Sequence, residues 1–126
     1  MLRRLFIKGS RAAVEVRLEN GPTAKKIWDR LPIEAEARLW GDEIYFPIPV
    51  STEPEPAARE EVEVGDVGYW PPGNALCLFF GRTPASTNEN PRAASPVTVV
   101  GKIVGGIEGC RLVQSGEKLS VEGARA

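Results

Sequence analysis

Histidine is absent from this 126-residue chain, and the absence removes more chemistry than any motif supplies. Ser-His and Cys-His nucleophilic pairs, histidine zinc sites and a base that titrates near neutrality without help are all excluded. Cysteine is scarce. Cys77 and Cys110 are the only two, too few for a disulfide framework or a metal-ligand spacing. Cys77 lies inside an apolar run, where a thiol behaves as a small hydrophobe, so both are expected reduced and unbonded. No sign of charge dominates. Sixteen Lys and Arg against 17 Asp and Glu leave a net charge of −1, which gives no electrostatic case for nucleic acid or an anionic membrane. No apolar run approaches the ~18 residues that span a bilayer. Met1-Leu2-Arg3-Arg4 leads into no signal-peptide core, and a cytoplasmic location is expected. A Gly-rich phosphate loop is missing as well, since Gly105-Gly106-Ile107-Glu108-Gly109 lacks the Lys-Ser/Thr end. Neither a metal nor a cofactor is expected.

What remains is a single domain, 1–126, with 42% apolar residues, enough to fold without staples. Val14, Val16 and Leu18 alternate with Glu15 and Arg17 as in a half-buried strand. Asn20-Gly21-Pro22-Thr23 then opens a helix over about 23–31, with Ala24, Ile27, Trp28 and Leu31 on one stripe. Strand patterns follow over 33–39 and 44–48, the latter restricted to an edge or end by Pro47 and Pro49. Residues 50–60 read as a polar loop, and Val62 and Val64 begin the next strand. The acids of 53–66 surround Arg59 alone, a pattern that reads as a solvated face.

The most informative run is 65–84, in which two apolar, aromatic-rich segments flank Pro71-Pro72-Gly73-Asn74, a turn. Ala75 to Phe80 has no polar face, so it must be covered on both sides. The next 15 residues, 82–96, carry no large apolar side chain and read as a long loop, functional or mobile. Val97–Val104 is β again, and a last hairpin, 112–113 with 119–121, turns at Ser115-Gly116. About eight strands and one helix without βαβ alternation favour a mainly β closed barrel capped by that helix through Trp28.

Gly21-Pro22-Thr23-Ala24-Lys25-Lys26-Ile27-Trp28 resembles the first helix of cyclophilins. Val99-Val100-Gly101-Lys102-Ile103-Val104-Gly105-Gly106 resembles their Phe-Gly-Lys-Val strand and glycine turn. With Gly65-Asp66-Val67 and the Leu76–Pro84 run, the chain is similar over 12–121 to a small prokaryotic cyclophilin-like family of undetermined function. The resemblance implies a closed eight-stranded barrel and a groove suited to proline, with Phe79 or Phe80 as its apolar residue. Cyclophilins twist the prolyl amide, whose rotation barrier is ~18–20 kcal/mol, with an Arg aimed at its nitrogen. At the matching segment this chain has Glu43-Ile44-Tyr45-Phe46-Pro47, without Arg. The Gln-Gly-Gly-Asp element is missing, as are the Trp and His ahead of the Gly-Lys strand. Efficient isomerisation is therefore not implied.

Candidate site residues follow from side-chain chemistry. Arg82, beside the buried strand, could grip a carboxylate or carbonyl, or pair with surface acids. Arg59 could replace the lost catalytic Arg or pair with its acidic neighbours. Glu43 and Tyr45 share one strand face, either a polar ligand site or an ordinary outer face. Trp70, before Pro71, could floor a groove or cap the barrel end. Thr83 and Ser86 have no base to activate them. The resulting expectation is a binding module for a peptide segment or small molecule, with Glu43, Tyr45, Trp70, Phe79 and Arg82 as ligand-binding residues. Two alternatives are a weak prolyl isomerase using Arg59 or Arg82, and a small enzyme with Glu43 as acid/base and Tyr45 and Arg82 as polarising groups.

Overall fold

The computed structural model describes residues 3–124. Strands β1 (Arg3–Lys8) and β2 (Ala13–Leu18) pair antiparallel, with Leu5 opposite Val16 and Ile7 opposite Val14, all four buried. The alternation of β2 was legible; β1, with Arg, Arg and Lys at its ends, was not anticipated. Helix α1 spans Pro22–Asp29, not 23–31. Pro22 suits the first turn because its missing N–H has no partner there to lose. The helix tightens as it ends, with Arg30 N–H donating to Ile27 O and Leu31 N–H to Trp28 O. Ile27, not Trp28, is its fully buried side chain. Trp28 is half-buried along Gly123, whose absent Cβ would stand 3.0 Å from the indole, with the Arg3 guanidinium 5.6 Å above the ring.

The remaining strands are β3 (Ile33–Glu36), β4 (Arg38–Leu39), β5 (Glu43–Pro47), β6 (Arg59–Glu61), β7 (Asp66–Trp70), β8 (Ala75–Phe79), β9 (Arg92–Gly105) and β10 (Lys118–Gly123). They form one antiparallel ten-stranded sheet in the order β3-β10-β1-β2-β9-β7-β8-β5-β4, with β6 on β9. The expected closed eight-stranded barrel is not what forms. The sheet has ten strands and two free ends, β3 and β4, with no ladder between them among the described residues. Ala37 shows why. It is the single residue between the end strands, and its N–H and C=O are taken by Glu117 O and Gly116 N. Those backbone groups hold the 115–117 turn, and a one-residue link is too short to turn β4 back beside β3 as a closing ladder. The final hairpin is also absent: Ile107–Leu112 is a 3₁₀ segment, and β10 pairs with β1 and β3.

Strand β8 explains the run that carried most of the sequence signal. It lies between β5 and β7 and is buried on both faces. Leu76 and Leu78 join the main core with Ile44, Phe46, Val67 and Tyr69. Cys77 and Phe79 face the other way, into a second cluster with Val62, Ala93 and Val97. That cluster exists because β9 begins early. Residues 92–97 are strand, paired with β6 (Arg59 opposite Val97, Glu61 opposite Arg92), so the loop runs 80–91 and not 82–96. Beyond Val97 the same strand pairs with β7 and β2. Gly68 lets it come close: a Cβ there would stand 3.0 Å from Val97 and 3.5 Å from Phe79. The loop is stitched by short hydroxyls, Thr83 Oγ1 donating to Arg92 O and Ser86 Oγ to Asn90 O.

Candidate functional site

On the outer face of β5, beside the second cluster, a half-open cavity of about 200 Å³ is lined by Trp40, Glu43, Tyr45, Trp70, Ala93, Ala94 and Val97. Period-two alternation along β5 sends Ile44 and Phe46 into the main core and Glu43 and Tyr45 to the opposite side. Residues 92–97, held by β6, form the facing wall. Trp70 ends β7, and its Nε1 donates to Ser95 Oγ at 2.6 Å, which fixes the indole. Tyr45 meets it edge-to-face, with ring centroids 6.5 Å apart and planes at 77°. Trp40 comes from the turn before β5, closed by Trp40 N–H donating to Glu43 O.

Glu43 is the one ionisable carboxyl in this apolar lining. Its side chain is buried, and Oε1 has no hydrogen-bond partner. Among the described residues no Lys or Arg stands within ion-pair distance of it. Burial disfavours the charged form and pushes its pKa from 4.5 up to about 7, with the Cys77 thiol beside it pulling the other way. The thiol is in turn held well above its usual range, first by its own burial and then by Glu43. Cys77 is therefore an inert thiol, and both it and Cys110 are free and buried.

The structure brings Glu43, Tyr45 and Trp70 together around the cavity. Phe79 lies fully buried in the adjoining cluster and does not line it. Arg82 is exposed and outside it; its backbone C=O accepts from Asp42 N–H while its side chain points to water. Arg59 is turned toward Asp66, 3.5 Å away. Four lining positions, Trp40, Ala93, Ala94 and Val97, escaped the sequence reading. Trp40 stands between the strand patterns 33–39 and 44–48, Ala93 and Ala94 fall within the expected loop 82–96, and Val97 opens the strand expected after it. The signal for Trp40 was there, in a large aromatic directly ahead of the Glu43–Tyr45 face. Nothing local marked the alanines, which belong to the site only because β9 folds over it. Among the described residues no three or more acidic or cysteine side chains are arranged to hold a metal.

The site is thus an aromatic pocket with one acid and no Lys or Arg in its lining, on the outer face of an antiparallel sheet. The sequence model of the Cyclophilin-like family matches residues 3–122, and the chain belongs to that family. It is similar to a hypothetical protein from Archaeoglobus fulgidus, solved in solution, at 48% identity and a TM-score of 0.84. The alignment covers 98% of this chain and 95% of that one. No curated protein matches the chain. No helix among the described residues is long and apolar enough to cross a membrane.

Proposed function

We propose that the protein is a binding module whose ligand, a small molecule or a single side chain of a peptide segment, enters the Trp40–Glu43–Tyr45–Trp70 cavity. The observation that carries this reading is the buried Glu43 carboxyl among aromatic walls, with Oε1 lacking a hydrogen-bond partner. Such a group costs stability unless something satisfies it, and a structure that retains it holds a polar anchor in reserve. Apolar walls with one convergent polar group are the usual make-up of a small-molecule site. A fragment screen followed by protein NMR tests it. Binders should perturb the indole N–H signals of Trp40 and Trp70 together and leave Trp28 unmoved. Binders that cluster elsewhere, or none at all, would refute the assignment.

A second reading rests on Glu43 alone. A carboxyl that titrates near neutrality is matched to general acid–base work, with Tyr45 as its only polar companion in the cavity. Arg82 takes no part, because its side chain lies outside. A fragment consumed over time by the wild-type protein, and not by Glu43→Gln, would favour this reading. The isomerase alternative finds no support in the geometry, since neither Arg59 nor Arg82 reaches the aromatic walls.

A further inference from the structure

We infer that the cavity recognises a compact organic cation, an alkyl- or methylammonium head, held between the aromatic rings and the Glu43 carboxylate. This rests on the binding reading above and specifies its ligand. Three observations converge on it. The lining contains three aromatic residues and one acid, and no Lys or Arg, so its only formal charge is negative. The Glu43 carboxyl lacks the cation that a buried acid ordinarily acquires within its own chain; Asp66, by contrast, has Lys102 at 2.7 Å. The walls are shaped for a rounded group. Tyr45 and Trp70 stand at 77° to one another, forming a corner in which a flat ligand could stack on only one ring. A tetrahedral ammonium can meet ring faces on several sides, and such attraction strengthens where water is excluded. Trp70 is already anchored through Ser95, so one wall is set before the ligand arrives.

Protonation gives the inference a sign. The cation needs Glu43 ionised, so binding displaces the carboxyl proton wherever that proton is held. The other groups facing Glu43 do not compete. The Cys77 thiol on β8 stays protonated, Tyr45 is its neighbour on β5, and the β9 wall supplies Ala93, Ala94 and Val97. Asp42 on the adjoining turn is occupied by Arg111 at 3.3 Å. Affinity for a cation should therefore rise with pH through about 7 and level off above it.

Choline, tetramethylammonium and 3,3-dimethylbutan-1-ol, the uncharged carbon isostere of choline, test this by NMR titration at pH 5.5, 7 and 8.5. The two cations should shift the Trp40 and Trp70 indole signals, with affinity about tenfold or more greater at pH 8.5 than at 5.5. At pH 8.5 the isostere should bind at least about tenfold more weakly than choline does. Glu43→Gln should lose the cation preference and its pH dependence while still admitting the isostere. Tyr45→Leu should weaken cation binding but keep the pH dependence, which separates loss of a wall from loss of the charge. Equal, pH-independent binding of choline and the isostere would overturn the cation inference and leave the binding reading standing. Isostere binding tighter than that of choline at every pH would also overturn it, in favour of a neutral ligand. Absence of any shift with both cations at high millimolar concentration would overturn it outright, leaving the fragment screen to judge the pocket itself.

Discussion

Two buried carboxylates show how differently single residues can be accommodated. Asp66 is fully buried and well served. It accepts from Glu63 N–H at 2.9 Å, pairs with Lys102 Nζ at 2.7 Å, and has Arg59 at 3.5 Å. Glu43 has no such company. Because its folded pKa lies above the unfolded value, the folded state binds the proton more tightly between about 4.5 and 7. Its stabilising effect is complete below 4.5 and lost as pH rises through about 7. At about 1.4 kcal/mol per pKa unit, the ionised carboxyl costs up to ~3 kcal/mol above neutrality. Glu43→Gln should thus flatten the stability profile from pH 5 to 8 and be the more stable protein at pH 8. Urea titrations of both proteins across that range check it; a wild type no steeper than the variant would contradict the burial of a lone carboxyl. Asp66→Asn should instead cost about 1–3 kcal/mol, the worth of a hydrogen bond to a charged group, because Lys102 keeps Glu63 at 2.9 Å as a second partner. Arg59→Ala, at an exposed partner, should cost under about 1 kcal/mol. Little of this contrast could be read from the sequence. Glu43 and Tyr45 share a face by simple alternation, but the burial of Glu43 depends on a strand some fifty residues later, and Asp66 looks like one more acid in an acidic stretch.

At the scale of elements, helix α1 and strands β2, β5 and β8 were legible because each carries its own period. Valines on alternate residues, the Ala24–Ile27–Trp28 stripe after Pro22, and the wholly apolar Ala75–Phe79 run announce themselves. Strand β1 begins with two arginines, β6 reads Arg-Glu-Glu, and the first residues of β9 read Arg-Ala-Ala-Ser-Pro. In these, pairing partners and not side-chain patterns decide the conformation. The helix shows how a stripe can be right while its anchor is misjudged. Trp28 is the bulkiest residue of the stripe, yet Ile27 is sealed and Trp28 lies half-open along Gly123. Ile27→Ala should therefore cost about 2–5 kcal/mol, and Trp28→Ala less than Ile27→Ala. Denaturant midpoints of the two variants decide the order, and a reversal would restore the tryptophan as the plug.

For the whole molecule, the missing arginine outweighs the likeness in fold. An aromatic pocket can hold a proline ring, but without a donor at the prolyl nitrogen it does nothing specific for the twisted amide. Isomerase activity on a proline tetrapeptide is expected at least ~10³-fold below that of a cyclophilin, about 4 kcal/mol of lost transition-state stabilisation. A coupled isomerase assay measures it, and activity within tenfold would point to an arginine that moves into the cavity. The family and the antiparallel β class were within reach of the sequence. The open sheet was not, because the alternation over 33–39 reads as one strand and does not show that it breaks at Ala37 into β3, paired with β10, and β4, paired with β5. A related pairing sets the order of events during synthesis. Strand β1 stands between β2 and β10, and Leu5 lies opposite Gly123, so β1 waits until β10 has been made before its second edge is covered. A nascent chain can form the β1–β2 hairpin early, but β3 finds its partner only when residues 118–121 have emerged. Until then two strand edges stand open to whatever is nearby, another chain included. Synthesis thus adds the edges of β1 and β3 to those that the folded sheet leaves open.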